Sequence, residues 1–238
     1  MEREWDAVNR FHTILFDADG TLLDFHRSER EALADCLSAR GLPCDSDLIE
    51  LYSCINDEHW KMLERGEITR VQLYVRRFAA FFDACGFSSD PTTMHDDYIR
   101  ALSTKSYLID GAYELCARLR ETCRLYLITN GNTKVQHGRF DPSPLQPLFE
   151  KSFISEEIGY DKPSAEYFNF VKAAIPQFDP ADTLVVGDSL TSDIGGGIAA
   201  GLATCWYNPK GKPVPDGMKI DFVVEDFDGV LRAVTEGV

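Results

Sequence analysis

The decapeptide FDADGTLLDF, Phe16–Phe25, follows the aliphatic run TIL at 13–15 and sets two carboxylates, Asp17 and Asp19, two positions apart where that run ends. A short run that is apolar on both faces and closes on Asp-Gly reads as a buried strand of a parallel sheet ending in a turn. Five further runs of the same kind lie downstream: CRLYLITNG, KSFISEEIG, DTLVVGDS, LATCWYN and DFVVED. Helical stretches of crossover length separate the later ones, as at 165–174 and 193–200. This alternation predicts an α/β fold with a doubly wound parallel sheet of Rossmann-like type.

One interval is too long for that scheme. From Asp17 to Thr129 is about 110 residues, whereas a βαβ unit takes about 30, so roughly 80 residues are surplus and predict an insert. The insert reads as helical throughout. Ser28-x-x-Glu31 and Thr69-x-x-Gln72 match the capping box, and Gly41 and Gly86 stand where helices would stop. Leu48, Leu51 and Ile55, then Val71, Tyr74, Val75, Phe78, Phe81 and Phe82, follow helical spacing. The expected organisation is therefore an α/β core domain of residues 1–24 and 107–238 and an inserted helical-bundle cap domain of residues 25–106. Hinges fall near 23–27 and 106–111.

The 238 residues include 44% hydrophobic positions, three Trp, nine Tyr and fifteen Phe, enough to form a packed core. With 39 Asp and Glu against 24 Lys and Arg, the net charge of −15 argues against nucleic acid polymers and anionic membranes as partners. A small anionic ligand needs only a local positive centre, such as a cation beside a lysine. Seven cysteines without a C-x-x-C pair read as reduced thiols, MEREWDAVNR carries no targeting pattern, and no apolar run approaches the length of a membrane span. The expectation is a soluble, cytoplasmic monomer or homodimer.

Ligands of doubly wound sheets bind beyond the carboxyl ends of the strands, where strand order reverses. Polar residues gather there: Asp17 and Asp19 after the first strand, Thr129, Asn130 and Gly131 after the second, Lys162 after the third, and Gly187, Asp188, Ser189 and Asp193 after the fourth. Each piece alone has an ordinary reading as a turn, a helix cap or solvated surface. Their convergence does not. Carboxylates crowded in a partly dry cleft imply a cation, and hard oxygen ligands favour Mg²⁺, which keeps positions open for water and a phosphate. Thr129 offers a hydroxyl, Asn130 and Gly131 offer backbone N–H groups, and Lys162 offers charge to such a phosphate.

The order D-x-D-x-T, T-N-G, K-P and G-D-x-x-x-x-D, from about His12 to Tyr207, resembles the haloacid dehalogenase superfamily of aspartate-nucleophile hydrolases. The resemblance implies Asp17 as nucleophile, forming an aspartyl-phosphate, with Asp19 protonating the leaving oxygen and then activating water. It implies Mg²⁺ held by Asp17, the backbone carbonyl of Asp19 and Asp188, with Asp193 and Thr21 in support, and Thr129 and Lys162 gripping the phosphoryl group. An aspartate at position 19 marks members that cleave phosphate esters rather than displace halide, so a small phosphorylated metabolite is the implied substrate. NDEHWKMLERGEITRVQLYVRRF, FISEEIGYDKP and VVGDSLTSDIGGGIAAGLATCWYNP look like the bacterial pyrimidine 5′-nucleotidase subgroup, which often carries Glu where this chain has Gly20. Asn56, His59, Trp60, Arg76 and Arg77 are candidates for base or ribose contact, with helix packing for Trp60 and a solvated face for the arginines as the ordinary reading.

The glycines of GGGIAAG miss G-x-G-x-x-G and suit close helix–sheet packing; no P-loop, paired-histidine zinc pattern or G-x-S-x-G elbow is present. A phosphatase of sugar phosphates or phosphoglycolate, a phosphosugar mutase and a non-catalytic binding protein on the same fold remain the alternatives.

Overall fold

The computed structural model describes residues 9–235; the flanking residues of the expected core segments, including most of MEREWDAVNR, lie outside the described residues. In chain order the elements are β1 (Thr13–Asp17), α1 (Phe25–Ala39), α2 (Ser46–Glu64), α3 (Arg70–Cys85), α4 (Pro91–Leu102), α5 (Ala112–Leu119), β2 (Arg124–Thr129) and α6 (Thr133–Phe140). There follow β3 (Phe149–Ile154), α7 (Ser155–Ile158), α8 (Ala165–Ala174), β4 (Thr183–Gly187), α9 (Gly196–Ala199), β5 (Ala203–Tyr207), β6 (Phe222–Val224) and α10 (Phe227–Thr235). All six strands fall where the sequence patterns place them.

The strands form one sheet in the order β3-β2-β1-β4-β5-β6, every pairing parallel. Strand order reverses at β1, which pairs with β2 on one side and β4 on the other. Cover on both faces of the sheet explains why β1 is buried throughout and why its middle residues Ile14, Leu15 and Phe16 are all apolar. Ile14 and Phe16 point into a cluster with Leu125, Leu127, Leu184, Val186, Leu115 and Val230, and Leu15 points the other way, into Tyr126, Ile128, Val185, Tyr167, Phe168 and Val171. Helices α5 and α10 cover one face, and α8 covers the other.

The described residues divide into two compact units, one comprising residues 9–24, 108–133 and 140–235, the other residues 25–107 and 134–139. The second unit is helical, its centre an aromatic cluster in which Tyr52 stacks on Phe78 at 5.1 Å and meets Phe81 and Tyr98 edge-on at 5.4 and 5.6 Å. Most of α6 belongs to this unit: Val135 joins its core, Ser106 donates to the Arg139 carbonyl, and Gly138 lies so close to Ser103 that a Cβ there would stand 2.4 Å from the Ser103 carbonyl oxygen.

Local signals were kept where no tertiary contact competed. Thr69 and Gln72 form the expected capping box, and Gly86 ends α3 in a left-handed conformation at φ 67°. Ser28 does not cap a helix. Helix α1 already starts at Phe25, and the buried Ser28 hydroxyl donates instead to the Lys105 carbonyl at 2.9 Å. The span 193–200, expected as one helix, is a π-helical turn at Leu190–Gly195 followed by α9.

Candidate active site

Three side chains from two strand ends meet beyond the sheet. Asp17, the last residue of β1, and Asp188 and Asp193, which follow β4, bring carboxylate oxygens within 4.8 Å of one another, the sole group of its kind among the described residues. The π-helical turn carries Asp193 inward, where it is buried. Two glycines allow these approaches. A Cβ on Gly187 would stand 2.3 Å from Asp193 Oδ2, and one on Gly20, at φ +87°, would stand 2.7 Å from Asp188 Oδ2.

Lys162, buried to 1% exposure, is the positive centre of the group. Its Nζ donates to Asp17 Oδ1 at 2.7 Å, Asp193 Oδ1 at 2.7 Å and the Ile128 carbonyl at 2.9 Å, which uses all three ammonium hydrogens. All of its donors are thus engaged within the protein, a fact that sequence alone does not disclose. Thr21, fully buried, donates to Asp17 Oδ2 at 3.2 Å. Asp193 Oδ2 accepts the Ser189 N–H at 3.1 Å, so both oxygens of this carboxylate have partners within the protein.

Three carboxylates face one ammonium, and their electrostatics follow from that imbalance. Burial pushes the Asp17 carboxyl well above its ordinary value, and Asp193 adds to the shift while Lys162 opposes it. Asp188 is exposed on its solvent side yet desolvated by protein on the other, and with Asp193 nearby it is pushed up to about 7. Burial alone would lower the Lys162 ammonium, but Asp17 and Asp193 outweigh it and hold the group charged. Clustered hard oxygen donors with excess negative charge, as Asp17, Asp188 and Asp193 supply, suit a small divalent cation of the Mg²⁺ type.

The remaining expected residues lie at the same carboxyl end of the sheet. Thr129 ends β2 and is buried, and its hydroxyl accepts the Gly131 N–H at 3.1 Å. The Asn130 amide is bound to the backbone of Lys162, donating from Nδ2 to its carbonyl and accepting its N–H at Oδ1, both at 2.8 Å. Its side chain thus fixes the lysine backbone, a role that the Asn-Gly turn pair does not reveal in the sequence. Asp19 is half-buried in the turn after β1. Trp206, buried on β5 and not singled out by any motif, donates from Nε1 to the Asp188 carbonyl at 2.9 Å.

In the helical unit, two of the five candidates for base or ribose contact are committed to its interior. Asn56 is fully buried and Arg77 is buried to 3%; Asn56 donates to Glu29 Oε1 and accepts from Arg77 Nη1, both at 2.8 Å. Arg77 is therefore not on the solvated face that its ordinary reading gives it, because its guanidinium is drawn into this buried hydrogen-bonded group. His59 and Trp60 are half-buried, with the Arg70 guanidinium 5.7 Å from the Trp60 ring, and Arg76 is exposed.

A six-stranded, doubly wound α/β core with an acidic centre and one buried lysine at its switch point defines a class of hydrolases. Residues 11–201 match the haloacid dehalogenase-like hydrolase family, and the chain belongs to it. YfnB of Bacillus subtilis is 41% identical over 210 residues, 88% of this chain and 89% of YfnB. A crystal structure of YfnB bound to magnesium superposes with a TM-score of 0.90, covering 94% of this chain and 98% of that one at 38% identity. The pyrimidine 5′-nucleotidase PynA of Streptococcus pneumoniae is 38% identical, covering 82% of this chain and 83% of PynA. The pyrimidine 5′-nucleotidase YjjG of Escherichia coli is 31% identical, covering 86% of this chain and 89% of YjjG.

Proposed function

We propose that the protein is a Mg²⁺-dependent phosphomonoesterase acting through Asp17, with nucleoside 5′-monophosphates, pyrimidine or non-standard, as substrates. The observation that carries this reading is the Asp17 carboxylate at the end of β1, held by Thr21 and Lys162 beside two further carboxylates. Relatives at 38% and 31% identity that bear the name pyrimidine 5′-nucleotidase support the substrate class.

Thr21 and Lys162 fix the Asp17 carboxylate from two sides, which reduces the reorganisation needed before it attacks. An Asp17 oxygen forms a bond to phosphorus as the bond to the leaving oxygen breaks, and Asp19 gives that oxygen its proton. Water then attacks phosphorus and passes a proton to Asp19, and the phosphorus–Asp17 bond breaks to release inorganic phosphate. Thr129, the N–H groups of Asn130 and Gly131, and Lys162 hold the phosphoryl oxygens. Mg²⁺, held by Asp17, Asp188 and the Asp19 carbonyl with Asp193 in support, would offset carboxylate and phosphate charge and polarise the phosphoryl group. Residues 25–106 are read as the cap domain of such an enzyme.

The test is a screen of the purified protein against nucleoside monophosphates and sugar phosphates, with Mg²⁺ and with chelator. Turnover highest on pyrimidine nucleotides and lost with chelator is expected. Preference for a sugar phosphate would overturn the substrate class, and turnover that survives chelation would overturn the metal requirement.

A further inference from the structure

Two connections carry the groups proposed to meet phosphate: residues 129–133 after β2, and residues 155–164 between β3 and α8. They are tied together at two places. One tie is the pair of hydrogen bonds between the Asn130 amide and the Lys162 backbone. The other is Glu156, in the single turn α7, whose Oε2 accepts the Thr133 N–H at 2.7 Å and Asn132 Nδ2 at 2.9 Å, while Oε1 lies 3.2 Å from the same Asn132 nitrogen. Thr133 is the first residue of α6, so the carboxylate also satisfies an N–H that the helix leaves without an internal partner. Between the two ties runs Gly131, its N–H turned to the Thr129 hydroxyl at 3.1 Å.

A helix cap that only stabilises would need the Thr133 N–H alone. Glu156 binds in addition a side chain two positions from Asn130, and it does so from the same connection that bears Lys162. The two ties make one frame of the two loops. We propose that Glu156 is a positioning residue for phosphate: it sets the 130–133 turn so that the Thr129 hydroxyl and the Asn130 and Gly131 N–H groups stay in register with Lys162. This rests on the phosphohydrolase reading above, and it adds a residue that none of the four sequence motifs contains. A carboxylate with three polar contacts to a neighbouring loop is a partner of the kind whose loss displaces the groups it orients.

The full chain with Mg²⁺ and p-nitrophenyl phosphate supplies the test, with inorganic phosphate as competitive probe. Glu156→Ala should lower kcat/KM by about 10-fold or more and weaken inhibition by inorganic phosphate by a similar factor. Glu156→Gln keeps an acceptor for Thr133 and can pair with a turned-over Asn132 amide, so it should recover to within about 3-fold of wild type. Adding Asn132→Ala to Glu156→Ala should cost little more, because the two act as a unit. Amide exchange should quicken at residues 130–133 in Glu156→Ala and stay unchanged in β4.

A folded Glu156→Ala protein with lower thermal stability but wild-type phosphate inhibition and kcat/KM would reduce Glu156 to a helix cap and overturn the proposal. If that variant does not fold, Asn132→Ala decides: weakened phosphate inhibition supports the proposal, and unchanged inhibition overturns it. A wild-type protein that hydrolyses no phosphate ester would remove the reaction itself, and the exchange measurement would then decide separately whether Glu156 holds the turn.

Discussion

Gly187 shows how closely the acidic centre is packed. The residue closes β4 with an ordinary φ, so its requirement is space and not backbone freedom: a Cβ would stand 2.3 Å from Asp193 Oδ2 and 2.4 Å from its Cγ. Gly187→Ala should therefore push Asp193 off the Lys162 ammonium and the Ser189 N–H, at a cost of about 1–3 kcal/mol in urea denaturation together with a loss of turnover. Wild-type stability and turnover in that variant would contradict the close contact. At this scale the sequence disclosed residues at strand ends, because a carboxylate that closes an apolar run, as Asp17 and Asp188 do, is visible locally. It did not disclose Glu156, Trp206 or the side-chain role of Asn130. Their partners lie 24, 18 and 32 positions away in the chain, and no local pattern encodes which distant backbone group a side chain will meet.

Elements were legible where their periodicity had a single interpretation. The central strands β1 and β4 are buried throughout because both sheet faces are covered there, the outer strand β3 exposes Glu150 and Lys151, and α8 spans Ala165–Ala174 as its spacing predicts. The two capping-box matches diverged for a tertiary reason: Thr69 is exposed and free to bond Gln72, whereas Ser28 is buried against the Lys105 carbonyl. The helical unit also holds a charge that sequence reading passed over. Glu29 on α1, exposed to only 3%, accepts from Ser53 at 2.7 Å and Asn56 at 2.8 Å, with Arg77 beyond Asn56. Burial raises its carboxyl from 4.5 to about 7, with Asp57 adding to the shift and Ser53, Arg77 and Asn56 opposing it. Because the folded protein holds this proton more tightly than the unfolded chain, the contribution is full below pH 4.5 and is lost as pH rises through about 7. Glu29→Gln, which mimics the protonated form, should gain thermal stability relative to wild type across that window, by on the order of 3 kcal/mol in total. Parallel melting-temperature curves for the two proteins from pH 4 to 8 would contradict the assignment.

At the scale of the whole molecule, a chain with a net charge of −15 is proposed to act on an anion, and a local field resolves the conflict. Lys162 stands among three carboxylates, a set one cation short of balance, and Mg²⁺ binding there should stabilise the folded protein by mass action. At about 100 times its dissociation constant the gain is about 2.7 kcal/mol. Thermal unfolding with Mg²⁺ against chelator should show that gain in wild type and a much smaller one in Asp188→Asn; equal gains would place the ion elsewhere. The central claim is that Asp17 attacks phosphorus, and replacing it with Asn tests this most directly. Hydrolysis of p-nitrophenyl phosphate by Asp17→Asn, measured beside far-UV circular dichroism, should fall by at least about 10³-fold with the fold intact. A folded Asp17→Asn protein that turns over at the wild-type rate would contradict the account.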